Sequence, residues 1–181
     1  VILSGTAEPG GVDVSVTPDP LVIPTGASSG QFTIAIEPDE LHEADESLQL
    51  DLGVLVGAVA GSQGSHVLTI QDDDAPPAAQ ITAFRTVVAE QSGGFDVRVE
   101  LDAVSGLDVT LPFSVSGNAA GIDDLSYPSR PMVIPAGETF VDLPVTLVVD
   151  QVVEIGDRVL FTLEAPVNAT LGPISTYLVG V

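Results

Sequence analysis

Apolar and polar residues alternate in short runs along nearly the whole chain. "DVSV" (13–16), "QFTIAI" (31–36), "SLQLDL" (47–52), "HVLTI" (66–70) and "FDVRVEL" (95–101) send successive side chains to opposite faces. "DVTLPFSV" (108–115), "FVDLPVTLVV" (140–149) and "RVLFTL" (158–163) are richer in apolar and β-branched residues. A period of two is the signature of a strand with one buried face, and clusters of Gly, Pro, Ser and Asp between the runs supply the turns. No segment sustains a helical period with caps. Short strands about every ten residues predict an all-β protein built as a sandwich or barrel of the immunoglobulin-like kind.

The pattern repeats. "LVIPTG" at Leu21 returns as "MVIPAG" at Met132, and "ESLQLDL" at Glu46 keeps its apolar positions in "DRVLFTL" at Asp157; both recur at the same offset along the chain. The pair Ser4 and Gly5, read as a turn, returns at Ser116 and Gly117, one position beyond that offset, so a single indel separates the copies. Residues 1–74 and about 113–181 are therefore copies of one module. Residues 79–112, with the opening strands "QITAFRTVVAE" (80–90) and "GFDVRVEL" (94–101), have no counterpart in the first copy. The fold class expected is two tandem β-sandwiches, the first (1–74) lacking its opening strands and the second spanning 79–181. Residues 75–78 form the linker, because the Pro76–Pro77 pair fixes an extended path and removes ladder donors. A sandwich without two strands exposes core side chains and a strand edge, so the missing part is expected upstream or from another molecule.

Composition narrows the partners. The 45% hydrophobic content supports a folded core, while 26 acidic against 4 basic residues give a net charge of −22. That field repels phosphate backbones and anionic lipid, which argues against nucleic acid and membrane surfaces, and it favours calcium-rich or saline surroundings. An extracellular or cell-surface setting follows as the expectation. The chain has no cysteine, hence no disulfide framework or thiol nucleophile. Its longest apolar stretch, "VLVGAVAG" from Val54, falls well short of the roughly 20 residues that span a bilayer. A start at Val1 without a signal segment reads as a mature or excised piece of a larger protein.

One short stretch raises a chemical question. Asp72, Asp73 and Asp74 follow an alternating strand directly and precede Pro76–Pro77. Adjacent carboxylates repel one another, and a bound cation is the direct way to cancel that repulsion. The bland reading is a solvated acidic loop. A glycosidase pair of carboxylates needs a cleft at a defined separation, and a chain with no Trp, two Tyr and six Phe has little surface on which sugars stack. His42 and His66 are too few for a catalytic network and read as structural; "GAVAGSQG" (57–64) reads as a hairpin loop and not a phosphate loop. "NAT" at Asn168 is formally a glycosylation acceptor, a tripeptide common by chance. No enzymatic activity is expected.

The ordered landmarks resemble the Calx-beta domain. They are "SG", then Gly-x-Asp ("GVD" at 11–13, "GID" at 121–123), "VIP" followed by Gly, "DELHEADESLQL" and "LTIQDDD". That family is known from the regulatory region of sodium/calcium exchangers, from an integrin subunit and from bacterial surface proteins. Its domains are β-sandwiches, some of which hold a cluster of Ca²⁺ ions at the end where one domain meets the next. The resemblance implies Asp13, Asp39, Glu40, Glu43, Asp45, Asp72, Asp73 and Asp74 as calcium ligands of the first copy, with Asp45 and Glu46 the weaker members. In the second copy it implies Glu90, Asp123, Asp150 and Glu154, but Gln151 and Gly156 stand where Glu40 and Asp45 would be. As written the sequence stops at Val181, level with Ile70 and before any exit aspartates, so the second site is expected either to be completed by residues beyond Val181 or to stay empty. The function implied is a calcium-binding structural or adhesive module of a larger secreted or surface protein, expected to be bacterial. Ca²⁺ would rigidify its junctions with neighbouring domains, and a protein or cell-surface partner is expected. The alternatives are a reversible calcium sensor attached to a transporter or enzyme, and an accessory domain of a secreted hydrolase.

Overall fold

The structure is a computed structural model and describes residues 1–8, 13–82, 87–119, 125–149 and 156–180. It divides into two compact units, Val1–Asp74 and Ala75–Val181. Among the described residues both units are strands and turns, apart from a single 3-10 turn at Glu90–Ser92. No described helix is long and apolar enough to cross a membrane.

The first unit has five strands: β1 (Ile2–Gly5), β2 (Val14–Thr17), β3 (Thr33–Ile36), β4 (Glu46–Asp51) and β5 (Ser65–Ile70). β4 is the centre of an antiparallel sheet ordered β1-β4-β5, and β2 and β3 form a separate antiparallel ribbon. Alternation in "SLQLDL" works as the period predicts: Leu48 and Leu50 turn inward onto Val14 and Ala7, with Leu3, Ile34, Leu68 and Ile70 packed around them. This is a small core. Val22, Ile23, Ile36, Leu52 and Val67 all remain at least half-exposed or close to it.

The second unit adds β6 (Ala78–Ile81), β7 (Gly94–Leu101), β8 (Val109–Leu111), β9 (Phe113–Gly117), β10 (Leu125–Ser126), β11 (Met132–Ile134), β12 (Phe140–Leu147), β13 (Arg158–Leu163), β14 (Thr170–Leu171) and β15 (Thr176–Gly180). One sheet runs β10-β12-β7-β6-β14, the other β15-β13-β9, with β8 and β11 paired alongside. Every second residue of β7 is buried, and Phe95, Val97, Val99 and Leu101 meet Leu111, Ile134, Leu143, Val145, Val159, Phe161 and Val179 in one core. Phe161 lies at its aromatic centre, edge-on to Phe95 and stacked on Tyr177.

The two units share a register. Val14 pairs Ile36 across β2 and β3, and at the offset of the sequence repeat Leu125 pairs Leu147 across β10 and β12. Gly5 and Gly117 end the equivalent strands β1 and β9, at φ +132° and +121°. A Cβ would stand 2.1 Å from the carbonyl oxygen of Ser47 in one and of Arg158 in the other, so only glycine fits. Ser4 and Gly5, expected to form a turn, are ladder residues opposite Gln49 and Leu48; the glycine is there for close approach, not for chain reversal.

Two other expectations change in detail. The strand expected over 80–90 is β6 only as far as Ile81; residues 83–86 lie outside the described set, Val87 makes an isolated parallel bridge to Gly180, and Glu90 opens the 3-10 turn. The linker read at 75–78 runs into the second unit. Ala78 already belongs to β6, donating its N–H to Asp102 Oδ1 at 2.7 Å, and the Pro77 carbonyl accepts from the Thr170 N–H at 2.8 Å.

Candidate metal centre

Three segments of the first unit bring carboxylates together. The turn between β3 and β4 carries Asp39, Glu40, Glu43 and Asp45, the exit run after β5 carries Asp72, Asp73 and Asp74, and Asp13 precedes β2. Because β4 and β5 are adjacent and antiparallel, with Glu46 opposite Ile70, the start of β4 and the end of β5 lie at the same edge. The acidic turn therefore meets the exit run. The contact is made by hydrogen bonds: Glu43 N–H donates to Asp72 Oδ1 at 3.2 Å, and Asp72 N–H donates to Asp45 Oδ1 at 3.1 Å. His42 Nδ1 lies 2.9 Å from Asp72 Oδ2, both side chains being largely buried. Asp39 Oδ1 accepts from Leu41 N–H at 2.7 Å, which holds the turn's own backbone, and Asp13 accepts from the N–H of Glu8.

Between these segments lies a cleft of about 420 Å³ lined by Asp39, Glu43, Glu46, Asp72, Asp73 and Asp74 among others. Its electrostatics are one-sided. Burial raises the Glu43 carboxyl above its usual 4.5, and Asp39, Asp13, Asp72 and Asp74 add to the rise. Glu46 is raised for the same reasons, burial first and then Asp13 and Glu43. Asp74 is raised above 3.8 by desolvation and by Asp73, Asp39, Asp72 and Glu40. These shifts place all the first-copy candidates except Asp45 within one mutual field, and Asp45 joins them through its bond to Asp72. Among the described residues no three of these side chains already converge on a single metal position. Like charges with nothing between them stand apart, so a cation would have to draw them in.

The residues fit a hard divalent cation. All the donors are oxygens, as Ca²⁺ requires. Residues 1–74 contain thirteen carboxylates and neither Lys nor Arg; Arg85, Arg98, Arg130 and Arg158 all belong to the second unit. No basic side chain of the first unit competes for the cleft. That one-sided distribution was a legible sequence signal for the cluster. Less legible were Glu46, which reads as an outward strand residue yet lines the cleft, and His42, which ties the turn to Asp72.

In the second unit Asp123, Asp150 and Glu154 lie outside the described residues, and of Glu90 only the backbone is described. Gly156, where the first copy has Asp45, adopts φ +79° with open space around its Cα. The strongest ion pair described in this unit is elsewhere, on the outer face of β7 and β12. There Arg98 donates from Nε and one terminal nitrogen to both oxygens of Asp142 at 2.8 Å and covers the Phe140 ring at 4.2 Å. That bond holds Asp142 below its usual 3.8.

A family profile for the Calx-beta domain matches residues 2–74 and again 72–175. Among solved structures, the calcium binding domain CBD12 of CALX1.1 superimposes with a TM-score of 0.51 at 15% identity, covering 98% of this chain and 83% of that one. CBD12 from CALX1.2 gives 0.51 and 15%, covering 85% and 75%, and the Calx CBD2 domain gives 0.50 and 12%, covering 57% and 84%. At such identities these structures attest the fold. With the profile matching nearly the whole length, the chain belongs to the Calx-beta domain family and carries that module twice in tandem.

Proposed function

We propose that the first unit binds Ca²⁺ in the cleft formed by Asp13, the Asp39–Glu43–Asp45 turn and the Asp72–Asp74 run. The observation that carries this reading is the hydrogen-bonded meeting of turn and exit run, in a unit without Lys or Arg, where Glu43, Glu46 and Asp74 are all raised by desolvation and then by neighbouring carboxylates. Glu43, Asp72 and Asp74 are the central ligands, Asp13, Asp39, Glu40, Asp45 and Asp73 complete the oxygen set, and Glu46 stands beside them. Calcium accepts six to eight oxygens in flexible geometry, which suits carboxylates from three independent segments. Bound calcium supplies the positive charge that the cluster lacks. It thereby fixes the exit run to the sandwich, and since Ala75 follows Asp74 directly, it stiffens the chain where the second unit begins.

A module of this kind serves as a structural or adhesive element of a larger secreted or surface protein, in a calcium-rich extracellular medium. The scarcity of basic residues supports a bacterial surface array. The second unit acts as the neighbouring element of such a module. The competing reading, a reversible sensor attached to a transporter or enzyme, is favoured by the tandem likeness to a calcium binding domain pair. Calorimetric titration with Ca²⁺ separates the two. Dissociation constants around 10⁻⁴–10⁻³ M belong to extracellular modules and about 10⁻⁷–10⁻⁵ M to sensors. No binding heat up to about 10 mM, well above that extracellular range, would reject calcium binding altogether.

A further inference from the structure

Among the described residues, Asp72 alone of Asp72, Asp73 and Asp74 has a hydrogen-bonded carboxylate. Its side chain is 11% exposed and meets the His42 imidazole, 18% exposed, across 2.9 Å. An ionised carboxylate only accepts, so the imidazole carries its proton on Nδ1 and donates it to Oδ2. The Glu43 N–H donates to Oδ1. Two donors on consecutive residues thus hold both oxygens of one carboxylate, and the Asp72 N–H, bonded to Asp45 Oδ1, fixes the backbone that carries it. Hydrogen bonds to an ionised group are strong in a largely buried place, so this rotamer is set before a cation arrives.

The repeat shows that the histidine goes with the carboxylates. At its offset Val153 stands in the place of His42, in the same stretch where Gln151 and Gly156 stand in the places of Glu40 and Asp45. The copy with the full acidic turn has a side-chain donor at this position. The copy without it has an apolar residue there.

We infer that His42 is a positioning residue for calcium, holding Asp72 through Nδ1–H in the rotamer that lines the cleft. The inference rests on the calcium reading above. Each oxygen of Asp72 keeps a second lone pair beyond the one its donor takes, so the carboxylate ligates the ion while it is held. Asp72, Asp73 and Asp74 repel one another, and without the imidazole the first of them turns away towards solvent. Binding an ion then carries the cost of ordering that side chain again. Groups that hydrogen-bond a metal's ligands act in this way, by fixing the ligand and not by touching the metal.

The test compares three substitutions in the full chain. His42→Asn keeps an N–H on the atom that corresponds to Nδ1, His42→Gln carries it one bond further out, at the place of Nε2, and His42→Leu has no donor. Calcium affinity measured by calorimetry should stay within about threefold for the Asn variant and fall about tenfold to a hundredfold for the Gln and Leu variants. A merely structural role would make affinity follow the melting temperature in chelator, whichever side chain is present; positioning makes it follow the donor. A loss in the Asn variant as large as in the Leu variant, or undiminished affinity in all three, would overturn the inference. Should the Gln and Leu variants fail to fold, the imidazole nitrogen resonances of the unaltered chain decide. In chelator the proton should sit on Nδ1, and that resonance should move when Ca²⁺ is added; an unprotonated Nδ1, or a resonance that calcium leaves in place, would overturn the inference. Absence of calcium binding by the unaltered chain would reject the calcium reading and the role of His42 with it, whereas binding that ignores the donor would reject the role of His42 alone.

Discussion

His42 Nδ1 lies 2.9 Å from Asp72 Oδ2, and the Glu43 N–H next to it donates to the other oxygen of the same carboxylate. Asp72 is thus gripped by the acidic turn on both its oxygens, and its own N–H returns a bond to Asp45. The triple aspartate is consequently not a free tail: its first member is built into the unit, and its last two extend the negative field from that anchor.

Replacing Asp72, Asp73 and Asp74 together by Asn removes three charges and keeps an acceptor oxygen at each position. Calcium affinity measured by calorimetry should fall by at least about a hundredfold, some ~2.7 kcal/mol, whereas Asp150→Asn in the second unit should leave it within about twofold. Retained binding in the triple variant would show that the exit run supplies no ligand.

Calcium present at about 100 times its dissociation constant should stabilise the first unit by about 2.7 kcal/mol, raising its melting temperature by roughly ten degrees or more for a unit of this size. The same ion should slow proteolysis between Asp74 and Ala78. Superimposable melting curves in calcium and in chelator would return the cluster to the status of a solvated loop.

The acid groups of the two units respond to pH in opposite senses. Glu43, Glu46 and Asp74 titrate above their ordinary values in the folded state, so the folded first unit binds more protons than the unfolded chain between 4.5, for the glutamates, and the raised value. Stability without calcium should therefore rise as the pH is lowered through the raised values towards the ordinary ones. Asp142 titrates below 3.8, so its contribution in the second unit is kept above that value and lost as the pH falls further. Melting in chelator at pH 7, 6 and 5 checks the first claim; a melting temperature of the first unit that falls steadily over this range would contradict it.

Equivalent substitutions should have unequal costs in the two units. Ile134→Ala empties a buried position and should destabilise the second unit by about 2–5 kcal/mol, while Ile23→Ala at the exposed equivalent should cost under about 1 kcal/mol. Gly172→Ala should also destabilise, and Gly61→Ala should not, since its Cβ meets nothing. Urea unfolding of each variant supplies the comparison.

Gly5→Ala and Gly117→Ala, by contrast, should be costly alike, at about 2 kcal/mol or more, because both combine a strained φ with a carbonyl oxygen in the place of the new methyl. A neutral effect at either site would mean that β1 or β9 shifts away from its neighbour.

The sequence alone determined whatever depends on local alternation and on the repeat. Strand positions such as Ser47–Asp51 and Phe95–Leu101 follow from period-two burial, and the constant offset between the copies reproduces the register of Val14 with Ile36 in that of Leu125 with Leu147. The carboxylates of the cleft were legible as types, because unopposed acidic residues near a strand end demand an explanation. Tertiary structure decided which of them meet: the antiparallel pairing of β4 with β5 brings Glu43 to Asp72, and turns Glu46 and His42 from background into part of the site. It also decided the fate of identical words. "VIP" is a strand with a buried Ile134 in the second unit and an exposed coil at Ile23 in the first, because ladder bonds and burial come from β8, which only one unit possesses among the described residues.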